Sequence, residues 1–227
     1  MTRSEINRAI KKMESLLNRY CFFLPDFCHW KPQQWKEKGK EYQEIYENGL
    51  GWDVTDYGLN DFHRVGLTLI TLRNGNTKNE QYRKPYAEKI MMVEEGQLSP
   101  MHFHWNKMED IINRGGGELA FRLYNADEEE QLSDTDVTVY QDGRCFTVPA
   151  GSKVILTPGQ SLTLPPRCYH EFFVEKGQCD CLVGEVSTCN DDEADNRFLQ
   201  KIGRFPTIEE DEPAYRLLCT EYASLLG

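Results

Sequence analysis

The chain has 227 residues, enough for one large domain or two small ones with a hydrophobic core. Its 37 Asp and Glu residues outnumber its 26 Lys and Arg residues, and the net charge at pH 7 is −11. Such an acidic chain is poorly suited to binding DNA or an anionic membrane surface. We therefore expect no nucleic-acid partner and no membrane partner.

The first seventeen residues, MTRSEINRAIKKMESLL, contain no continuous apolar segment of the kind found in signal peptides and membrane anchors. No other run approaches the length of a transmembrane helix. The eight cysteines include no C-x-x-C pair, and without an export signal we interpret them as reduced thiols that serve as small core residues. The sequence therefore predicts a cytoplasmic protein.

Residues 1–63 are predicted to form a helical arm packed on the main domain. The TRSE segment at 2–5 has the pattern of a capping box, and apolar residues then recur at helical spacing over residues 3–20. A second helix is predicted from Pro32 to about Asn48, because proline is favoured in a first turn and Gly49 would end the helix.

Residues 64–190 contain short β-prone runs separated by turn residues, such as VGLTLITL, VTVYQDGRCFTV and CDCLVGEVS. The pair Asp142-Gly143 predicts a tight hairpin turn. Seven or eight short strands favour an antiparallel sandwich or barrel. Residues 191–227, which are acidic and end in a short helical pattern, are expected to belong to the same domain, with the acidic run at 208–213 on the surface.

Two of the five histidines, His102 and His104, are separated by one residue, and Glu109 follows closely. Residues i and i+2 of a strand point to the same side, so both imidazoles would face one direction. Two imidazoles and a carboxylate suit a divalent metal of intermediate softness. Taken alone, an H-x-H pair more often arises by chance, with each histidine hydrogen-bonded in a core or on a surface.

The surroundings of the pair extend it to a longer pattern. From Gly96 to Gly116 the sequence is G-x5-H-x-H-x4-E-x6-G, and from Gly159 to His170 it is G-x5-P-x4-H. These segments resemble the two metal-binding motifs of the cupin superfamily. The second departs from the usual motif, because Arg167 stands in the place of a glycine and an asparagine is replaced by valine at 174.

The resemblance to cupins implies a mainly β fold, a cupin-type antiparallel β-barrel (jelly roll) with an N-terminal helical arm added. It implies a metal site in the barrel of residues 64–190, with four ligands: His102, His104, Glu109 and His170. A six-coordinate metal would keep two positions open, as catalytic sites do.

Three segments, MHFHWNKMEDIINRGGG, GEVSTCNDDEADNRF and GRFPTIEEDEP, resemble the D-lyxose isomerase family, and the likeness covers most of the chain. The resemblance implies an aldose–ketose isomerase that interconverts D-lyxose and D-xylulose, and D-mannose and D-fructose, by proton transfer through a metal-stabilised enediol. It also implies a Mn²⁺ cofactor (with Co²⁺, Ni²⁺, Fe²⁺ or Zn²⁺ as alternatives), a small sugar as the partner, and a cytoplasmic homodimer.

Catalytic and sugar-binding residues are predicted from the segments that resemble the family. Glu185 is the candidate proton carrier, although the alternation of its strand does not decide which side faces inward. Lys89 is the candidate for electrostatic stabilisation or for hydrogen bonding to a sugar hydroxyl. Lys107, Asp195 and Arg204 are candidates for substrate binding, and the last two are also candidates for ring opening. For each residue the alternative is an ordinary exposed side chain.

Other functions are compatible with a cupin metal site, because the fold hosts many reactions. The alternatives are a cupin-type iron dioxygenase and a non-catalytic sugar-binding cupin. A sugar phosphate isomerase is a third alternative, but the sequence has no Gly-rich phosphate loop and no dense arginine cluster, which favours a neutral sugar.

Overall fold

The computed structural model describes residues 1–192 and 194–225, which are mainly β. The helices are α1 (Arg3–Arg19), α2 (Pro32–Trp35) and α3 (Gln43–Glu47), with 3-10 turns at Asp26–His29, Lys40–Tyr42 and Cys219–Leu225. The strands are β1 (Gly51–Thr55), β2 (Leu67–Arg73), β3 (Tyr86–Val93), β4 (Leu98–Phe103), β5 (Glu109–Gly115), β6 (Leu119–Ala126), β7 (Leu132–Ser133), β8 (Val137–Gln141), β9 (Arg144–Val148), β10 (Lys153–Leu156), β11 (Ser161–Leu164), β12 (Cys168–Phe173), β13 (Cys181–Thr188) and β14 (Arg197–Phe198). Within this part of the chain, no helix is long and apolar enough to cross a membrane.

The strands form two antiparallel sheets that curl toward each other. The large sheet has the order β1-β2-β3-β13-β5-β11-β8-β9, and the small sheet has the order β10-β6-β12-β4-β14, with β7 beside β6. Apolar side chains from the inner faces of both sheets form the main core, among them Leu69, Met91, Phe121, Phe172 and Val183. The predicted fold class, a mainly β cupin-type barrel with an N-terminal helical arm, is confirmed.

Helix α1 lies on the outer face of the large sheet. The Thr2 hydroxyl accepts a hydrogen bond from the Glu5 N–H (3.2 Å), and the Glu5 carboxylate accepts one from the Thr2 N–H (2.9 Å), so the predicted capping box is confirmed. The buried face of the helix packs on outward-facing apolar residues of the sheet. Strand β2 is therefore buried on both faces, which explains its nearly continuous apolar sequence.

The predicted second helix is wrong as a continuous element. Residues 32–48 contain the two short helices α2 and α3, separated by a 3-10 turn. The apolar residues of this segment are too sparse for one continuous buried stripe, and Gly39 lies within the interruption between Trp35 and Lys40. Trp35 instead packs at 4.5 Å against Tyr222 near the other end of the chain.

The predicted hairpin turn at Asp142-Gly143 is confirmed. Gln141 on β8 pairs with Arg144 on β9, and the two residues between them have φ values of 51° and 79°. Two successive positive φ angles are those of a type I′ turn, which glycine adopts without strain.

The segments before residue 64 and after residue 190 each contribute a strand to the sheets of the barrel. Strand β1 lies within residues 1–63 yet forms the edge of the large sheet, and β14 of the 191–227 segment pairs with β4. The acidic run at 208–213 is at the surface as predicted, and Glu210 contacts the buried Arg3 of α1. The division at residues 63 and 190 stays a prediction.

The cysteines are free thiols in the structure, but only some of them are core residues. Cys28, Cys168 and Cys181 are buried, as predicted. Cys21, Cys145 and Cys179 are exposed, so the core interpretation is wrong for these three.

Candidate active site

Three of the predicted metal ligands form a buried cluster on the inner face of the small sheet. His102 on β4 and His170 on β12 are direct cross-strand partners, with ring centroids 4.2 Å apart. His104 follows the end of β4, and its ring centroid lies 5.1 Å from that of His102. One nitrogen from each ring lies within 4.8 Å of the other two, so the cluster could hold a metal ion.

The other nitrogen of each ring is held by the main chain. Nδ1 of His102 lies 2.7 Å from the carbonyl oxygen of Pro100, and Nδ1 of His104 lies 2.6 Å from that of Asp195. Nδ1 of His170 lies 3.0 Å from the carbonyl oxygen of Cys168. A carbonyl only accepts hydrogen bonds, so each Nδ1 carries a hydrogen, and Nε2 is the nitrogen of each ring that can bind a metal.

Burial keeps the rings of His102 and His104 uncharged. It holds the pKa of His102 well below the ordinary value of 6.5, and the neighbouring His170 and His104 act in the same direction. Burial also lowers the pKa of His104, where Lys107 adds to the effect. Both imidazoles are therefore ready to bind a cation at neutral pH without first losing a proton.

Glu109, on β5 of the large sheet, faces the histidines from the opposite side. Its Oε1 atom lies 3.5 Å from Nε2 of His104 and 3.2 Å from Nε2 of His170, while Oε2 contacts Nζ of Lys107 at 2.6 Å. Burial alone would raise the pKa of Glu109, but the charge of Lys107 holds it well below its usual range. The carboxylate is thus ionised at the centre of the cluster.

These contacts bring acceptors together without a donor between them. Nε2 of His170 is buried and makes no hydrogen bond, although a carboxylate oxygen of Glu109 lies near it. Two lone pairs at this distance repel each other unless a cation lies between them. The residues present therefore fit a divalent metal, and the structure brings all four predicted ligands together.

Glu185 and two lysines line the same cavity on the large-sheet side. Glu185 lies directly across from Lys89 in the β13–β3 register and is buried, so its side of the strand faces inward. Its Oε1 atom is 3.0 Å from Nζ of Lys107 and 3.5 Å from Nζ of Lys89. Burial would lower the pKa of Lys107, but Glu109 and Glu185 outweigh it and raise that pKa, so the ammonium stays charged.

Arg204 reaches the cavity from the C-terminal segment. Its Nη2 atom contacts Oδ2 of Asp53 at 2.7 Å and Oδ2 of Asp192 at 3.1 Å. Its Nη1 atom is buried without a hydrogen-bond partner. A buried donor without a partner is costly, so this atom is a candidate for binding a ligand oxygen.

Asp195 lies behind His104, and both carboxylate oxygens bind the main chain. Oδ1 accepts from the Asn106 N–H at 2.9 Å, and Oδ2 accepts from the Lys107 N–H at 2.8 Å. The Asp195 carbonyl oxygen is also the partner of the His104 ring. This residue thus fixes the segment that carries one metal-ligand candidate and one lysine.

Sequence reasoning missed several residues around the cavity. Asp192 lines it and pairs with Arg204, and Asn190 accepts a hydrogen bond from Nζ of Lys89 at 2.6 Å. Both belong to the acidic run NDDEADN, whose composition alone suggests a solvated loop. Tyr57 and Ser99 also line the cavity, and no motif in the sequence marks them.

The fold and the site define the class of this protein as a cupin-type β-barrel with a buried histidine cluster beside a lysine–glutamate network. Solved structures show the same fold. An L-ribose isomerase of Cellulomonas parahominis with L-psicose matches with a TM-score of 0.61 at 16% identity, over 92% of this chain and 98% of that one. An Acinetobacter sp. DL28 L-ribose isomerase mutant in complex with L-ribose matches with a TM-score of 0.63 at 13% identity, over the same shares.

The chain belongs to the D-lyxose isomerase family, whose model matches residues 1–222. A D-lyxose/D-mannose isomerase of Serratia proteamaculans is 51% identical over 228 residues, covering 100% of both chains. Another from Escherichia coli O157:H7 is 50% identical over 223 residues, covering 98% of both. The chain is therefore a sugar isomerase, which disfavours the iron dioxygenase and the non-catalytic sugar-binding cupin.

Proposed function

We propose that this chain interconverts D-lyxose and D-xylulose, and D-mannose and D-fructose, by proton transfer through an enediol at a divalent-metal site. The observation that best supports this proposal is that Nε2 of His104, Nε2 of His170 and a carboxylate oxygen of Glu109 lie close together with no hydrogen donor between them. Glu185 lines the cavity beside these atoms. The names of the relatives at about half identity support the choice of sugars.

The metal ligands in this proposal are His102, His104, Glu109 and His170. Imidazole nitrogens and a carboxylate oxygen, with no thiolate, suit Mn²⁺, which we favour, and also Co²⁺, Ni²⁺, Fe²⁺ or Zn²⁺. When bound, such an ion would supply Lewis-acid polarisation of the sugar carbonyl. A cytoplasmic homodimer completes the proposal and rests on the resemblance to the family.

Glu185 is the proton carrier in this proposal. Its carboxylate takes the hydrogen from C2 of the aldose as a proton and returns a proton to C1, while the hydroxyl proton moves from O2 to O1. The carbonyl thereby moves from C1 to C2 with no net gain or loss of atoms. Glu185 is buried and lines the cavity that contains the histidines, as this role requires.

The two lysines give this carboxylate a fixed position and a compensating charge. Lys107 bridges Glu109 and Glu185, and Lys89 contacts Glu185 from the neighbouring strand. Both ammonium groups line the cavity, so they can also donate to sugar oxygens on which negative charge develops.

Arg204 is the proposed sugar-binding residue of the C-terminal segment, since Nη1 is an unused buried donor at the cavity wall. For Asp195 we propose a positioning role in place of direct sugar binding. Its carboxylate holds the main chain of Asn106 and Lys107, and its carbonyl holds His104.

The test uses the Mn²⁺-loaded protein in D₂O with D-lyxose as substrate. Proton transfer through an enediol should place solvent deuterium at C1 of D-xylulose, detected by mass spectrometry. Glu185→Gln should retain the metal and lower kcat about 1000-fold, because general acid–base catalysis contributes on that order. Glu88 directly precedes Lys89 in the sequence, and its carboxylate pairs with Arg73. Glu88→Gln is therefore the matched control and should keep full activity.

Two outcomes would contradict the proposal. Complete retention of the C2 hydrogen at C1, with no solvent label, would indicate a direct hydride shift from C2 to C1 in place of proton transfer by a carboxylate. Wild-type rates in Glu185→Gln would remove this residue from the reaction.

A further inference from the structure

Two buried hydroxyls lie next to each other in the wall of the cavity. The Tyr57 hydroxyl, from the loop after β1, is 2.9 Å from the Ser99 hydroxyl on β4. Tyr57 is 4% exposed and Ser99 is 1% exposed, and both line the cavity that contains His102 and Glu185. They are therefore shielded from bulk water but accessible from the cavity.

The pair has unused hydrogen-bonding capacity. Each hydroxyl has one hydrogen and two lone pairs, and one hydrogen is used between Tyr57 and Ser99. The structure gives neither hydroxyl oxygen another hydrogen bond in the described part of the chain. One O–H hydrogen and several lone pairs thus remain available to a ligand.

The charge state of Tyr57 suits a donor. Burial raises the pKa of this phenol to about 12, so it carries its proton at neutral pH. The apolar side chains that share the cavity wall, Leu67, Leu69 and Met91, provide no hydrogen bond for it. Since the Tyr57–Ser99 hydrogen bond uses one of the two O–H hydrogens, the other is available to a polar group among the cavity contents.

The backbone holds Tyr57 in a strained conformation that aims its ring inward. Its φ angle is 55°, in the left-handed region that residues other than glycine seldom adopt. The N–H of Tyr57 donates to the Thr55 hydroxyl at 2.9 Å, and its carbonyl accepts from the Gly203 N–H at 3.2 Å. The ring packs edge-on against Phe198 at 5.6 Å. Strain of this kind concentrates at functional sites, where the surrounding contacts maintain it.

We propose that the Tyr57–Ser99 hydroxyl pair is a sugar subsite that binds a hydroxyl of the C4–C5 end of the substrate. The inference rests on the proposed function, which assigns C1 and C2 to Glu185 and the histidines. Ser99 and His102 lie on either side of a bulge in β4 and pair with Phe172 and His170, which are two residues apart on β12. This corresponds to a separation of roughly 7 Å, so the hydroxyl pair lies toward the far end of the sugar.

This subsite makes the pair a determinant of specificity, since it touches the substrate away from the reacting carbons. A site built to hydrogen-bond a hydroxyl discriminates against sugars that lack it, because its own polar group then stays unpaired. The pair therefore selects sugars by their distal hydroxyls.

Tyr57→Phe in the Mn²⁺-loaded enzyme is the first test. The KM for D-lyxose should rise about three- to tenfold, the effect of one neutral hydrogen bond, with kcat within twofold of wild type. Phenylalanine keeps the ring contact with Phe198, so the unfolding temperature should stay within about 3 °C. Ser99→Ala, which leaves the phenol in place, should show a smaller rise in KM. Tyr140→Phe changes an exposed tyrosine on β8 and is the matched control.

Deoxy sugars provide the second test. Wild-type enzyme should lose kcat/KM with 4-deoxy- or 5-deoxy-D-lyxose, and for one of these analogues Tyr57→Phe should cause no further loss. The proposal would be overturned if Tyr57→Phe lowered kcat/KM by the same factor with D-lyxose and with both analogues. It would also be overturned if the KM for D-lyxose did not change, or if the variant lost kcat, bound metal and stability together. Absence of turnover by the wild type would overturn the proposed function itself, before any variant is compared.

Discussion

His104, His170 and Glu109 direct lone pairs to one point, and this is the chemical centre of the molecule. Their sequence segments resemble the cupin metal-binding motifs, and this resemblance predicted the four ligand candidates. The carbonyl that fixes the His104 tautomer could not be predicted, because Asp195 comes from a distant segment. The resemblance predicts the donor set, and the fold determines the orientation of the donors.

Arg167 shows how a departure from a motif is accommodated. It stands where related motifs have glycine, and it adopts a φ of 63°. Such a conformation costs a non-glycine residue roughly 1–2 kcal/mol. The Arg167 N–H donates to the His104 carbonyl at 2.8 Å, and its Nη2 donates to the Asp127 carbonyl at 2.7 Å. These bonds offset the strain, and the turn forms without glycine.

Asp192 gives a prediction about acid stability. Burial would raise its pKa, but Arg204 and Lys89 outweigh burial and hold the pKa far below the ordinary value. The unfolded chain therefore takes up this proton first as the pH falls, so the stabilisation by Asp192 is complete above about pH 5 and lost progressively below about pH 4. Asp192→Asn should lower the free energy of unfolding at pH 7 by about 2 kcal/mol and reduce its decline in acid.

Urea denaturation of the metal-free protein at pH 7, 5 and 3 measures this effect. Asp134→Asn, at an exposed position, is the control. An unchanged slope of stability against pH in Asp192→Asn would contradict the assignment.

At the scale of elements, the sequence predicts best where local and tertiary preferences agree. Helix α1 has a capping box and a complete apolar face, and the β8–β9 turn has residues suited to positive φ, so both were predicted correctly. The segment 32–48 has good terminal signals but few apolar residues, and it breaks into short helices that follow the packing of Trp35. Strand β1 was missed because its pairing with β2 is a tertiary interaction.

The capping box of α1 is open to a direct test. Thr2→Ala removes the acceptor of the Glu5 N–H and should lower the free energy of unfolding by about 1 kcal/mol. Ser15→Ala, at an exposed position on the same helix, should change it by less than about 0.5 kcal/mol. Thermal unfolding of the two variants gives the comparison, and equal stabilities would show that the box contributes nothing measurable.

At the scale of the whole molecule, the site depends on the apposition of the two sheets. The histidines come from the small sheet, Glu109, Glu185 and Lys89 come from the large sheet, and Arg204 comes from the C-terminal segment. These groups are far apart in sequence, so no spacing rule predicts their contacts. Resemblance to a family identified most of them, whereas Asp53, Tyr57 and Asp192 became apparent only from the fold.

The central claim is that the protein isomerises sugars at this site with the help of a bound metal ion. Metal removal is the most direct test of that claim. The protein would be stripped with EDTA, restored with Mn²⁺, and assayed for ketose formation from D-lyxose and D-mannose in the absence of oxygen. We predict no turnover by the stripped protein, full recovery with Mn²⁺, and no recovery in His170→Ala, whereas His63→Ala, at an exposed histidine outside the cluster, should recover. Undiminished activity of the stripped enzyme, or no activity on either sugar with metal bound, would contradict the account.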